Sequence, residues 1–261
     1  MQRLVDILRI IAYSFSMKTV LISGASSGIG LELVQHFHQA GWFVFMVARR
    51  KERLESLKDK FPHSDFQVCD LTNSEDIQKL SPRLESLNYP LTALINNAGI
   101  YQPKSLDQDQ DQVWDQHYQS NLMSAVRLTR QLWPDLKKNK GAVLNISSTL
   151  AIRPIANTAA YSALKAAMNN WTLSLALEGA PHGLRANAIC PGLVDTPIHS
   201  FFESTDPKDQ EFYQNIQKLQ PLGRTGKPQD IAPMALELCA PHSAWITGSI
   251  IPIDGGILLN S

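Results

Sequence analysis

Tyr161-Ser-Ala-Leu-Lys165 places a phenol and an ammonium four residues apart, a spacing that puts both on one face of a helix. A tyrosine with a pKa of about 10 is a poor proton donor or acceptor at neutral pH. A neighbouring ammonium favours the phenolate and lowers that value, so the pair reads as a proton-transfer couple. The run Asn145-Ile-Ser147-Ser148 ends an apolar segment upstream, and Ser148 lies thirteen residues before Tyr161.

A second cluster stands near the start. Ser23-Gly24-Ala25-Ser26-Ser27-Gly28-Ile29-Gly30 lies between a β-branched run and a helical pattern. A glycine turn there brings backbone N–H groups against phosphate oxygens, and the helix N-terminus adds partial positive charge. The glycines then serve a tight turn, close approach of a pyrophosphate, and close helix packing. The next strand ends Met46-Val47-Ala48-Arg49-Arg50. A carboxylate at that point would hold the ribose 2′-hydroxyl of NAD, whereas Arg suits the 2′-phosphate of NADP. NADP(H) is therefore expected over NAD(H), with the Arg49–Arg50 pair facing the phosphate and Arg49 as the cofactor-binding residue.

These clusters need a scaffold, and the chain alternates short apolar runs with helical patterns. Strands are expected at Thr19–Ile22, Trp42–Val47, Phe66–Cys69, Ala93–Ile95, Ala142–Ile146, Leu184–Ile189 and Ser249–Ile253. Helices are expected at Leu31–Ala40, Lys51–Lys60, Ile77–Leu87, Trp114–Leu136, Ala159–Gly179 and Asp230–Leu238. Strands separated by helices need crossovers, which predicts an α/β fold: a doubly wound, Rossmann-type parallel sheet with helices on both faces. No Gly/Pro/Ser linker divides it, so residues 18–261 read as a single domain.

Residues 1–17 read as an N-terminal extension. Leu4, Leu8, Ile11 and Phe15 fall at helical spacing. Either the segment is an amphipathic helix on a membrane or partner, or it is upstream of a natural start at Met17, the reading we favour. Asp6 and Arg9 interrupt any apolar run, so no transmembrane segment is expected.

Composition bounds the partners. With 24 basic and 24 acidic side chains the formal net charge is +0, which gives no reason to expect nucleic acid. Cys69, Cys190 and Cys239 are odd in number and lack C-x-x-C spacing. They predict neither disulfide framework nor metal site, and suit a reducing cytoplasm.

Together these motifs resemble the short-chain dehydrogenase/reductase family, in its single-domain branch and closest in pattern to 3-oxoacyl-[acyl-carrier-protein] reductase-like members. The resemblance runs from Lys18 to Leu259. Gly24-xxx-Gly28-Ile29-Gly30 matches its glycine motif, with Ser23 where Thr is commoner. Asn96-Asn97-Ala98-Gly99 and Asp254-Gly255-Gly256 match further signatures. Ala151 and Ala186 depart from the pattern as packing variants.

The resemblance implies a cofactor bed of Gly24, Ser26, Ser27, Gly28, Ile29, Gly30 and Arg49, with Asp70 and Leu71 by the adenine. Asn97, Ala98 and Gly99 would continue it. Pro191, Gly192, Val194 and Thr196 would hold the nicotinamide carboxamide, and Tyr161 and Lys165 would contact the cofactor as well. It implies a catalytic set in which Tyr161 donates a proton to the substrate oxygen and Ser148 holds that oxygen. Lys165 would lower the Tyr161 pKa and grip the nicotinamide ribose, while Asn121 positions a water linking Lys165 to solvent.

The expected activity is reversible NADPH-dependent reduction of a ketone or aldehyde, 3-oxoacyl-like as first guess. The alternatives are an NAD-linked alcohol dehydrogenase and a non-catalytic NADP-binding regulator. Phe201, Phe202, Phe212 and Tyr213 lie where relatives place a substrate lid, which would favour an apolar substrate. Relatives also imply a homotetramer or homodimer.

Overall fold

The computed structural model describes residues 17–87, 89–199 and 206–260, without the side chains at 208–210, 212 and 213. Expectations for the N-terminal segment and for the four lid aromatics therefore fall outside the described residues.

Seven strands form one parallel sheet: β1 (Thr19–Ser23), β2 (Phe43–Ala48), β3 (Ser64–Val68), β4 (Leu91–Asn96), β5 (Ala142–Ile146), β6 (Arg185–Pro191) and β7 (Ile250–Ile253). Their order is β3-β2-β1-β4-β5-β6-β7. Winding reverses between β1 and β4, and the carboxyl ends of such strands open a crevice for ligands.

Side chains alternate across each strand, so each face has its own core. Val20 and Ile22 of β1 join a cluster with Leu33, Val34 and Phe37 of α1 (Gly28–Gln39) and Ile231 of the helix Pro228–Cys239. Leu21, one residue over, joins Leu128, Leu132 and Leu136 on the other face. Both faces are covered, as a fully parallel sheet requires.

The first helix starts at Gly28, so the turn's last two glycines lie inside α1 rather than before it. Helix α2 (Lys51–Lys60) is as expected. Strand β3 begins two residues early, at Ser64, because the buried Asp65 carboxylate is paired with Lys58 (2.7 Å) and with Arg83. A paired carboxylate makes an otherwise costly strand position tolerable. The helix expected at Ile77–Leu87 is two short helices, α3 (Ser74–Gln78) and α4 (Leu80–Glu85).

The long helix expected at Trp114–Leu136 is interrupted. It comprises α5 (Asp111–His117), a π-helical turn (Tyr118–Met123) and α6 (Ser124–Lys138). π turns concentrate at functional sites, and this one carries Asn121. Helix α7 (Ala159–Gly179) follows β5, and α9 (Pro228–Cys239) follows α8 (Pro207–Lys218). Helix α8 went unanticipated because its sequence, PKDQEFYQNIQK, is mostly polar.

Candidate active site

The carboxyl ends of β1, β4, β5 and β6 frame a cleft of about 680 Å³, a volume typical of small-molecule sites. At one end stands the glycine turn. Gly24 has φ +65°, and a Cβ there would lie 2.9 Å from Ala98 Cα and from Asn97 Nδ2. A Cβ on Gly30 would overlap the Gly24 carbonyl oxygen, so this glycine lets α1 pack onto the turn. The Ser23 hydroxyl donates to Ile95 O (3.2 Å) and accepts from the N–H groups of Asn97 (2.9 Å) and Ala98 (3.1 Å). Asn97 Nδ2 donates to Ser23 O (3.0 Å). Serine thus performs here what a threonine hydroxyl could, stitching the Asn-Asn-Ala-Gly stretch to the glycine turn.

The guanidinium seated over this turn belongs to Arg50. Its Nη2 donates to Ser26 Oγ (2.9 Å) and Ser27 Oγ (2.8 Å). Burial and the neighbouring Arg53 and Arg49 lower its pKa. Arg49 is exposed and also lines the cleft. Both cations of the pair expected to face a phosphate stand at that end of the cleft. Asp70 accepts from Thr72 N (2.9 Å) and Thr72 Oγ1 (2.7 Å), so its carboxylate is engaged locally.

Asp254 seats the opposite loop. A Cβ on Gly192 would lie 2.8 Å from Asp254 Cα. The Asp254 carboxylate accepts from Gly256 N (2.9 Å) and Leu258 N (3.1 Å). Gly28, at φ +54°, would bring a Cβ within 3.2 Å of Thr196. The loop bearing Pro191, Gly192, Val194 and Thr196 therefore closes onto the glycine turn.

The expected chemical groups meet mid-cleft. Lys165 is buried, its Nζ donates to Ile146 O (2.8 Å), and it lies 5.7 Å from the Tyr161 ring centre. Ser147 Oγ donates to Lys165 O (3.2 Å), and Ser148 Oγ accepts from Leu150 N (3.1 Å). Burial pushes the Lys165 ammonium down to about 8. The Tyr161 pKa was expected to fall; instead burial raises it well above the usual phenol value, and the hydrogen bond with Ser148 offsets this only in part. Desolvation wins because burial disfavours the charged phenolate by more than the Ser148 hydrogen bond favours it. The protein's own groups therefore hold Tyr161 as a neutral phenol.

Asn121 is fully buried and does not line the cleft. Its Oδ1 accepts from Ile100 N (2.7 Å), and its Nδ2 donates to Ile100 O (2.9 Å). A Cβ on Gly99 would lie 3.0 Å from Asn121 Oδ1 and 3.9 Å from Lys165 Nζ, so glycine there admits both groups. Gly30 also stands behind the cleft; every other expected site residue lines it.

Sequence reasoning missed several residues. Tyr101 packs edge-to-face on Tyr161, with centroids 5.0 Å apart and planes at 83°. His199 packs likewise on Tyr101, at 5.1 Å and 72°, and burial pushes its imidazole down to about 4. Arg153 lines the cleft and donates to Asn260 O. Only the place of Tyr101, two residues beyond Gly99, could have drawn notice in the sequence.

Among the described residues, no group of three or more His, Cys, Asp or Glu side chains is placed to hold a metal ion. Nor is any of their helices long and apolar enough to cross a membrane.

A family model described as enoyl-(acyl carrier protein) reductase matches residues 24–258. A tropinone reductase homolog of Arabidopsis thaliana is 32% identical over 254 residues, covering 95% of this chain and 94% of its own. The 3-oxoacyl-[acyl-carrier-protein] reductase FabG of Thermotoga maritima is 31% identical, covering 93% and 98%. The crystal structure of an actinorhodin polyketide ketoreductase with NADPH superposes with a TM-score of 0.86 at 29% identity, covering 92% and 97%. This chain belongs to the short-chain dehydrogenase/reductase family and is an oxidoreductase.

Proposed function

We propose that the chain, through one domain spanning residues 18–261, is an NADPH-dependent reductase of ketone or aldehyde carbonyls. The observation that carries this reading is a half-buried Tyr161 beside Ser148 and the buried Lys165, lining the crevice where the glycine turn ends. Reduction consumes a proton, and a neutral phenol is the form that supplies one. The Ser148 hydroxyl donates to the carbonyl oxygen as negative charge develops there. The Tyr161 proton moves onto that oxygen, and Lys165 stabilises the phenolate left behind.

Bound in the cleft, a nicotinamide cofactor supplies the hydride. The glycine turn fits its pyrophosphate, Asp70 and Leu71 its adenine, and the Pro191–Thr196 loop its nicotinamide. Arg49 and Arg50 favour a 2′-phosphate, since two guanidiniums gain charge-assisted bonds to it; the NADPH in the ketoreductase supports the same choice. With its side chain spent on Ile100, Asn121 serves a water relay to Lys165 through its backbone.

The likeness to FabG keeps 3-oxoacyl compounds first among substrates. Exposed Leu173 and Leu177 on α7 and a 99% exposed Trp245 support a homo-oligomer. Three free buried thiols support a reducing cytoplasm. A panel of ketones and aldehydes followed at the NADPH absorbance tests the reading. Faster turnover with NADPH than NADH supports it. Faster turnover with NADH reassigns the chain as an NAD-linked alcohol dehydrogenase, and no turnover with either favours a non-catalytic regulator.

A further inference from the structure

One helix grips the strand exit on both sides of Tyr101. Asn121 holds both backbone groups of Ile100, on the near side. His117, four residues earlier, holds the far side: its Nε2 accepts from Gln102 N at 3.3 Å. Its Nδ1 lies 2.8 Å from Val113 O, an atom that only accepts. Nδ1 therefore serves as the donor and Nε2 as the acceptor, and both nitrogens are satisfied. It is fully buried and sits outside the cleft lining. Its ring meets Tyr161 from behind, at 6.2 Å and 78°.

The outcome is a rigid ring array. Tyr161 touches Tyr101, and Tyr101 touches His199, each nearly perpendicular to the next. Tyr101 and His199 line the cleft together with aliphatic side chains such as Leu150, Ile155 and Leu258. Perpendicular rings leave edges and faces to which a further flat π group adds favourably, whereas a saturated ring gains only area.

We propose that Tyr101, fixed by His117, is a substrate-selecting residue: its ring receives a planar π group attached directly to the reacting carbonyl. The preferred substrates are then ketones, 3-oxoacyl compounds among them, that carry an aryl or conjugated group on the reacting carbonyl, rather than saturated ones of equal size. This rests on the reductase reading above and names a substrate class within it. His117 is a positioning residue, acting through the Gln102 backbone.

Acetophenone and cyclohexyl methyl ketone form a size-matched pair. Wild-type protein should favour the aryl ketone in kcat/KM by about two- to tenfold, the value of one aromatic pair. Tyr101→Phe should keep that ratio and Tyr101→Leu should bring it near one, chiefly through KM. His117→Val should shrink it, while His117→Gln, whose amide oxygen can still accept from Gln102 N, should restore it. Calorimetric titration of both ketones into NADPH-loaded Tyr161→Phe protein gives the ratio without turnover. Turnover with equal ratios, or a ratio unmoved in Tyr101→Leu, overturns the proposal and leaves the reductase reading standing. Aryl-selective binding without turnover in wild type sinks the reductase reading and leaves Tyr101 as the aryl-receiving residue of a binding site rather than a substrate-selecting one. Neither binding nor turnover overturns both.

Discussion

One wall of the cleft is built largely of backbone, the other of side chains. On the cofactor side, Gly24 and Gly30 are fixed by what their missing Cβ atoms would strike, and Ser23 and Asn97 spend their polar groups on neighbouring main chain. On the substrate side stand Tyr101, Ile155 and His199, from three separate segments, with Ile155 still 54% exposed. In the function proposed above, the first wall meets what never changes, a phosphate-bearing cofactor. The second can be recut by single substitutions without disturbing the main chain. That asymmetry is how one fold can host many substrates.

The sharpest way to probe it is at the seam. Tyr161→Phe keeps the ring that both walls pack against and removes only the proton. Turnover should fall by about 10²–10⁴, while NADPH affinity measured by fluorescence titration stays within about twofold. A comparable loss of NADPH binding would mean that the walls are not separable.

Lys165 gives a subtler handle. Its folded pKa is about 8, below the ordinary lysine value of 10.5. Between those values the unfolded chain binds more protons, so stability from this group rises with pH there. Denaturant unfolding of wild type should gain on the order of 2 kcal/mol relative to Lys165→Met from pH 7 to 10. Cys69 and Cys239, pushed up to about 12, act in the opposite sense above their ordinary thiol value, but equally in both proteins. A flat difference would remove Lys165 from its dry site.

The smallest expected effect isolates the backbone wall. Arg50→Ala should weaken NADPH about tenfold, in keeping with one charge-assisted interaction. It should leave NADH and the ketone KM nearly unchanged. A parallel loss for NADH would show that Arg50 serves the glycine turn through Ser26 and Ser27 rather than a phosphate.

The contrast also explains what could be read before folding. The centre of the cofactor wall is local in sequence, a strand, a turn and a helix within Thr19–Gln39, so residue type and spacing announce it. Tyr161 and Lys165 share one helix and were legible for the same reason. Tyr101, His117 and His199 meet only after β4, α5 and the segment beyond β6 have converged, and no pair of them has a periodic spacing. The pKa of Tyr161 was misjudged because sequence shows the ammonium but not the dryness around it. The interrupted helix was missed because a π turn leaves the apolar pattern of Leu128, Leu132 and Leu136 intact on its far side.

That turn has an evolutionary consequence. Tyr118–Met123 accommodates roughly one residue more than an α-helix of the same span would need. An i→i+5 turn absorbs its extra residue, so deleting one there would restore a regular helix and leave α5 facing as it does relative to α6. Leu128, Leu132 and Leu136 would stay in the core. An insertion of this kind re-aims the residues inside it, Asn121 among them, so a site can be remodelled here without re-registering the helices on either side.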